Sequence, residues 1–522
     1  MADYKIAKFN AIPRQWGIED SYYILLALTI GALPIAIRML YLFYFFGGSI
    51  VGHMPFDGDS AVYWTQINSM KHVGLNFGYY GYEQTTAKFL SFGFHGLWYP
   101  AVMYALSLFQ AWKYYSIPFI QTGALSLGLF LYVWQIRPTW QKSTAIALFL
   151  CTFYPVLFST TQSIQDCLHY AFAVVLALLY YKYVFGLDNT KGYLERKVVL
   201  IAFIFGISLC RISWIISIFP IIMFDAITLK GGARKYAGIV GLLIGVAVVY
   251  YCSYKLFNAP YPYDNDNALV SFTAFLTLKD ISWLNRVTDN VANLFEGPAT
   301  SDHLSSFAFR YQCLVIFLFC QALLIINKDS SKSNRVFFMS MAILLMMSIG
   351  VVTMMSLVHT TYFIIMFRHL SSAVIFVFLF TVPRIHTRQL FVMLLLAALA
   401  LPFQMSMYNC MVDFSMDSFG YKHAKTQSAR QQLDSCVIYD SDSKSKWCNT
   451  MVTLNYDIAL SLPPGIGLNT VKDIHHVDSI RAKYVFLPQG LFQADISRLG
   501  LVLAGQTVIG DVYFNPKSSC QP

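Results

Sequence analysis

The sequence predicts an all-α polytopic membrane protein, with about 11 transmembrane helices and a small α/β domain at its C-terminus, on three observations. Hydrophobic residues make up 57% of the 522 and charged residues only 12%, about half the ~25% of an ordinary soluble domain. Apolar runs of membrane-crossing length recur along the chain, separated by short basic loops. From Tyr408 onward the composition turns abruptly polar, with many Asp, Lys, Ser and Gly. A mean hydropathy of +0.52 and 43 Phe, 34 Tyr and 9 Trp fit rings that populate membrane–water interfaces. A soluble enzyme, a nucleic-acid-binding protein and a disordered scaffold are excluded.

A span needs roughly 20 apolar residues, fewer where a helix is short and buried among others. The runs fall at 21–46, 115–136, 143–160, 162–183, 198–210, 212–224, 237–257, 306–327, 336–358, 360–382 and 389–408. The loops 137–142, 184–197, 225–236, 328–335 and 384–388 are basic, as in Arg196-Lys197 and Arg234-Lys235. The excess of 37 basic over 27 acidic residues is therefore topogenic, and it holds these loops and the N-terminus in the cytoplasm. That arrangement closes only if 95–112 does not cross fully and 198–224 is a pair of short helices meeting at Arg211. No cleavable signal peptide is expected, because Lys5, Lys8 and Arg14 precede an apolar run too long for an h-region.

The domain expectation is a transmembrane module over 1–408, with exterior loops 47–114 and 258–305, followed by an exterior α/β domain over 409–522. Cys436–Tyr439, Lys483–Leu487 and Leu501–Val512 read as its strands, with Cys436–Cys448 as a disulfide; two free thiols are the alternative. The exterior regions contain no Asn-x-Ser/Thr sequon, which leans towards a bacterial inner membrane with the C-terminal domain in the periplasm.

An ionisable side chain at membrane depth is costly and is a functional candidate by default. Asp57-Gly58-Asp59 and Tyr63 follow the first span, which contains Arg38. Asp166 and His169 open the fourth span, after Pro155 and the polar run Ser159-Thr160-Thr161-Gln162. Arg211 interrupts an apolar run, and His359, Arg368 and His369 lie at or within the tenth span; Lys88 and His95 lie in the first large loop. Singly, each has a plainer role. Asp57 or Asp59 could cap a helix starting near Ala61, Arg38 could snorkel, and Arg211 could pair structurally with Asp166. Arg368 and His369 could mark a boundary, and Lys88 and His95 could be ordinary loop residues. Jointly they fall at the exterior end of one bundle. Such a cavity suits a phosphorylated lipid: cations bind the phosphate and a carboxylate deprotonates an incoming hydroxyl. Nucleotide sugars stay in the cytoplasm, so glycosyl transfer outside requires a lipid-linked donor.

At these residues the chain resembles the GT-C superfamily of integral-membrane glycosyltransferases, which use polyprenyl-phosphate-linked sugars. Asp57-Gly58-Asp59-Ser60-Ala61-Val62-Tyr63 is similar to that family's acidic first exterior loop, and Trp98-Tyr99-Pro100-Ala101 to its Tyr-Pro-Pro segment. Ser163-Ile164-Gln165-Asp166 resembles its acidic start to a middle helix. Cys210-Arg211-Ile212-Ser213 resembles its Thr-Arg-Pro, and Arg368-His369-Leu370 its Arg-Tyr. The resemblance spans about residues 20–400. It implies a GT-C-like bundle with Asp57 or Asp59 as catalytic base and Arg211, Arg368 and His369 as donor-phosphate ligands. It also permits Mg or Mn at Asp57 and Asp59, although two carboxylates make a thin metal site. Asp166 joins the catalytic candidates, and Arg38, Tyr63, Lys88, His95, His169 and His359 the donor-binding ones. The expected partners are the lipid-linked donor, a glycan, lipid or protein acceptor, and membrane lipids, with no nucleic acid. The competing readings are an O-antigen-type polysaccharide polymerase or ligase and a lipid-linked sugar flippase. The flippase predicts matched broken spans in two halves, which the sequence lacks.

Overall fold

The computed structural model describes residues 18–46, 58–73, 80–82, 98–109, 112–113, 115–160, 164–185, 192–228, 232–252, 363–399, 423–443, 445–454, 457–471 and 473–518, with a few isolated positions besides. Asp57, Lys88, His95 and His359, the loop 258–305 apart from isolated positions, and the spans expected at 306–327 and 336–358 lie outside the described residues.

The described part is a helical bundle joined to a small mixed sheet. The helices are α1 (Ile18–Phe46), α2 (Gly58–Val73), α3 (Trp98–Ser107), α4 (Ser116–Ile136), α5 (Trp140–Thr152), α6 (Tyr154–Ser159) and α7 (Asp166–Phe185). They continue with α8 (Tyr193–Cys210), α9 (Ile218–Thr228), α10 (Ala233–Tyr251), α11 (Phe363–Thr381) and α12 (Thr387–Ala398). Among the described residues, Glu19–Tyr44, Ser116–Ile136 and Asp166–Val184 are long and apolar enough to cross a membrane. Leu25, Leu28, Leu40 and Phe43 on α1 and Ile244 and Val248 on α10 are exposed, the apolar outer surface expected of helices that face lipid. α3 has ten residues, roughly 15 Å at 1.5 Å per residue, half a hydrocarbon core. The expectation that 95–112 stops short of a full crossing fits this length.

Local chemistry sets the breaks. The run 143–160, read as one span, is two helices. Pro155 stands in the first turn of α6, where it supplies no N–H and would clash with the carbonyl four residues back, so α5 cannot continue. α4 ends at Arg137, which is left-handed at φ 51° and ψ 54°, and Pro138 follows it. α8 ends at Cys210, Arg211 is extended, and a 3₁₀ segment Ile212–Ser217 leads into α9, so the chain breaks at Arg211 as expected. α7 carries Asp166 in its first turn and Lys182 in its last, each favoured by the helix dipole. α1 and α4 approach closely at Gly31, where a Cβ would lie 3.0 Å from the Ser126 carbonyl oxygen and 3.1 Å from Phe130 Cβ.

The C-terminal region contains α13 (His423–Cys436), α14 (Gln493–Leu499) and strands β2 (Thr450–Thr453), β3 (Gly467–Thr470), β4 (Tyr484–Leu487), β5 (Val502–Thr507) and β6 (Gly510–Phe514). β1 is Tyr80–Tyr82, from the loop 47–114, and it pairs parallel with β3 at the sheet edge. The strand order is β1-β3-β2-β4-β6-β5, parallel through β4 and antiparallel at β6 and β5. Tyr484, Phe486 and Val512 on one face pack with Tyr63, Trp64 and Ile67 of α2, Tyr99 and Met103 of α3, and Leu433 of α13. Val485, Leu487 and Tyr513 on the other face pack with Ile496 and Leu499 of α14. The central strands are therefore buried on both sides, the edge strand β5 is largely exposed, and one side of the sheet is shared with the helices that follow the first span.

Three expectations for this region are corrected. The disulfide joins Cys448 to Cys520, whose Cα atoms are 5.2 Å apart, and Cys436 is a free thiol. Cys436 ends α13 against Gly505 of β5, where a Cβ would lie 2.9 Å from its sulfur, so its side chain is packed into the sheet away from Cys448. Residue 436 is helical and 437–439 form no strand. The segment 501–512 holds β5 and most of β6, turning at Val508-Ile509; its length conceals the turn because both arms are apolar.

Candidate functional site

The site lies at one end of the bundle, where α7 begins and α8 ends. Asp166, its side chain 1% exposed, meets the Arg211 guanidinium at 3.6 Å. One turn along α7, His169 Nδ1 accepts a hydrogen bond from the Trp214 indole N–H at 2.9 Å. Trp214 N donates to the Arg211 carbonyl at 3.1 Å, which closes the 3₁₀ turn beneath Arg211. Two residues of α7 spaced by three thus face Trp214 of the 3₁₀ segment and Arg211, the extended residue that precedes it.

Arg38 is fully buried on α1. Its guanidinium donates to the Thr160 carbonyl and lies 4.5 Å from the centre of the Phe119 ring, a cation–π arrangement. Arg38 is therefore turned into the bundle and does not snorkel. Thr122 Oγ1 donates to the Pro118 carbonyl at 2.6 Å and reaches the same Thr160 carbonyl at 3.4 Å. The Thr160 carbonyl that Arg38 and Thr122 share stands at the end of α6, six residues before Asp166 opens α7.

α2 delivers the acidic loop. Its first turn contains Asp59, inside the helix and past its start; the Asp59 side chain lies outside the described residues. One turn later Tyr63 meets Tyr99 edge-to-face, with ring centres 4.6 Å apart. The Gln121 amide of α4 donates to the Tyr99 hydroxyl, and Tyr99 feels the Asp166 charge. Tyr63, Tyr99 and Gln121 thus link α2 to the Asp166 neighbourhood.

α11 runs parallel to α7. Ser371 is hydrogen-bonded to Tyr170, while Phe376 and Phe380 meet Tyr180. The turn before Ser371, which carries Arg368 and His369, therefore lies at the Asp166 end; their side chains lie outside the described residues. The structure brings together Arg38, Tyr63, Asp166, His169 and Arg211, and it places the backbones of Asp59, Arg368 and His369 at the same end.

Gln121, Thr122, Tyr170 and Trp214 escaped the sequence reading. Gln121-Thr122 is a polar pair inside an apolar run, a signal of the kind that flagged Asp166. Trp214 gave none, since an aromatic in an apolar run reads as core.

No protein-family model matches the chain, and no curated protein matches it in sequence. Its fold is similar to the crystal structure of ArnT from Cupriavidus metallidurans in the apo state. The likeness covers 96% of this chain and 99% of that one, at a TM-score of 0.52 and 10% identity. At that identity the likeness shows a shared fold.

Proposed function

We propose that the protein is a membrane glycosyltransferase of the GT-C type, moving a sugar from a polyprenyl-phosphate-linked donor to an acceptor hydroxyl at the exterior face of the membrane. The observation that carries this reading is the buried Asp166–Arg211 pair, at the bundle end where α2 and α11 bring Asp59, Arg368 and His369. The ArnT-like fold supports it, since ArnT is a GT-C glycosyltransferase.

Arg211, Arg368 and His369 bind the donor phosphate and stabilise the charge that grows there as the glycosidic bond breaks. Arg38, Tyr63, Lys88, His95, His169 and His359 complete the donor-binding surface. Asp57 or Asp59 takes the proton from the acceptor hydroxyl, which attacks the anomeric carbon from the face opposite the lipid phosphate and inverts it. Asp166 stands beside Arg211 as the third acidic candidate. The Arg211 guanidinium has five N–H donors, so it can take the phosphate while keeping its contact with Asp166. Among the described residues no three His, Cys, Asp or Glu side chains gather as metal ligands. Asp57 and Asp59 would hold a Mg or Mn ion, which would stabilise charge on the donor phosphate.

The test is release of polyprenyl phosphate from radiolabelled polyprenyl-phosphate hexoses and pentoses by the purified protein in lipid. Asp57→Asn and Asp59→Asn are made separately, and one of them should lower turnover on the order of 1,000-fold. Full activity in both variants would favour the polymerase or ligase reading, and transport of the intact lipid-linked sugar without phosphate release would favour the flippase.

A further inference from the structure

The pairing of His169 with Trp214 fixes which nitrogen of that imidazole carries a proton. An indole N–H donates and cannot accept. At 2.9 Å from it, His169 Nδ1 must present a lone pair, so the ring proton is on Nε2. An imidazolium has a proton on both nitrogens, and Nδ1–H would then face Nε1–H. His169 and Trp214 are 1% and 8% exposed, so water cannot readily replace the lost bond, and an opposed pair of buried donors is costly.

The surrounding backbone makes this pairing one half of a larger unit. Residues three apart on an α-helix share a face, which aligns Asp166 with His169. Arg211 caps the 3₁₀ segment, and the Trp214 backbone N–H donates to its carbonyl at 3.1 Å, which ties Arg211 to Trp214. The ionic contact between Asp166 and Arg211 and the neutral one between His169 and Trp214 are thus two rungs between the same two segments. The Phe172 ring, 5.7 Å from His169 centre to centre and edge-on, closes another side.

We propose that Trp214 is a positioning residue that holds His169 as the neutral Nε2–H tautomer, so that His169 meets the donor phosphate as a hydrogen-bond donor and not as a cation. The role in transfer rests on the glycosyltransferase reading above; the tautomer does not. A neutral ring also leaves the Asp166 carboxylate to Arg211, where a cation one turn away would compete for it.

The experiment uses the full-length protein with ¹⁵N-labelled histidine in lipid, the His169 signals being those lost in His169→Gln. The expected spectrum has an unprotonated Nδ1 and a protonated Nε2 at neutral pH. A protonated Nδ1 overturns the proposal whether or not any sugar is transferred. In Trp214→Phe the His169 signals should become those of exchanging tautomers; an unchanged pattern overturns the role of Trp214. The same proteins are assayed with radiolabelled polyprenyl-phosphate hexoses and pentoses. Gln carries an amide near Nε2 and should keep kcat within about fivefold, whereas His169→Asn and His169→Ala lose on the order of 100-fold. Equal loss in Gln and Ala overturns the donor role. If Trp214→Phe does not fold, the wild-type spectrum and the Gln–Asn pair still decide it.

Discussion

The bundle has two ends, each with a buried carboxylate beside a cation, and burial does not tell them apart. Asp225 and Lys197 have side chains 2% and 15% exposed, and Asp166 and Arg211 have 1% and 14%. The difference lies in how the carboxylate is held. Asp225 takes the Lys197 ammonium and both the Tyr183 and Tyr193 hydroxyls at 2.8 Å. The same end has Arg137 on Asp20 at 2.5 Å, Lys182 on Gln135 and Lys142 on the Pro383 carbonyl at 2.6 Å. Each contact ties the end of one helix to another segment. At the Asp166 end the ion pair is 3.6 Å long, beyond hydrogen-bond distance. A carboxylate held by an ammonium and two hydroxyls is a structural clip, whereas the Asp166–Arg211 contact is an ionic one at longer range, at the end where the donor phosphate is proposed to bind.

The sharpest way to break this comparison is to neutralise each pair in turn. Asp166→Asn and Arg211→Met should each lower transfer from a lipid-linked sugar on the order of 1,000-fold per folded molecule. Asp225→Asn and Lys197→Met should act on stability alone. Removing one partner of a buried pair leaves the other uncompensated and costs about 3–5 kcal/mol, read as an earlier thermal transition, while turnover per folded molecule stays near wild type. If Lys197→Met abolishes transfer at unchanged stability, or Arg211→Met is active and unstable, the assignment of the two ends is reversed.

What the sequence made legible follows the same division. An arginine in an apolar run is costly enough to be conspicuous, so Arg211 marked both the break between α8 and α9 and the site. Asp166 and His169 were visible because a carboxylate and an imidazole open an apolar helix. The acidic end of α2 was readable for the same reason. The Asp225 clip was not: Asp225 and its donors sit where spans meet basic loops, and charge there reads as topogenic. β1 was hidden because Tyr80–Tyr82 is three residues long and pairs with a strand far along the chain, so no periodicity announces it. The disulfide was misassigned because four tail cysteines allow three pairings and spacing does not choose among them. Trp214 was invisible because its contribution is one N–H aimed at one nitrogen, which only the fold reveals.

The C-terminal sheet adds a link between the acidic loop and the tail. α2 shares a core with β4 and β6, and the Cys448–Cys520 bridge fastens the chain's end to the segment before β2. Replacing both cysteines by serine removes a 72-residue closure and should cost about 2–4 kcal/mol. The thermal transition of the C-terminal region should fall accordingly, with transfer weakened only as α2 loses its support. Turnover lost at a temperature where the sheet is still folded would mean that the bridge acts on the site by another route.

The smallest effect sharpens the account of the clipped end. Lys142, in the first turn of α5 at its loop end, is half-buried beside Arg384, and burial with that neighbouring charge lowers its ammonium from 10.5 to about 8. Between pH 8 and 10.5 the unfolded chain therefore holds a proton there that the folded chain has released. Stability must rise with pH across that window wherever the unfolded state binds more protons. Lys142 is only partly buried, so solvent screening reduces the gain. Wild type and Lys142→Met are compared by thermal unfolding at pH 7.5 and 9.5. Lys142→Met should flatten the rise while leaving transfer unchanged, because the residue belongs to the end whose charges hold helices together. An identical slope in both proteins would remove Lys142 from the clipped set.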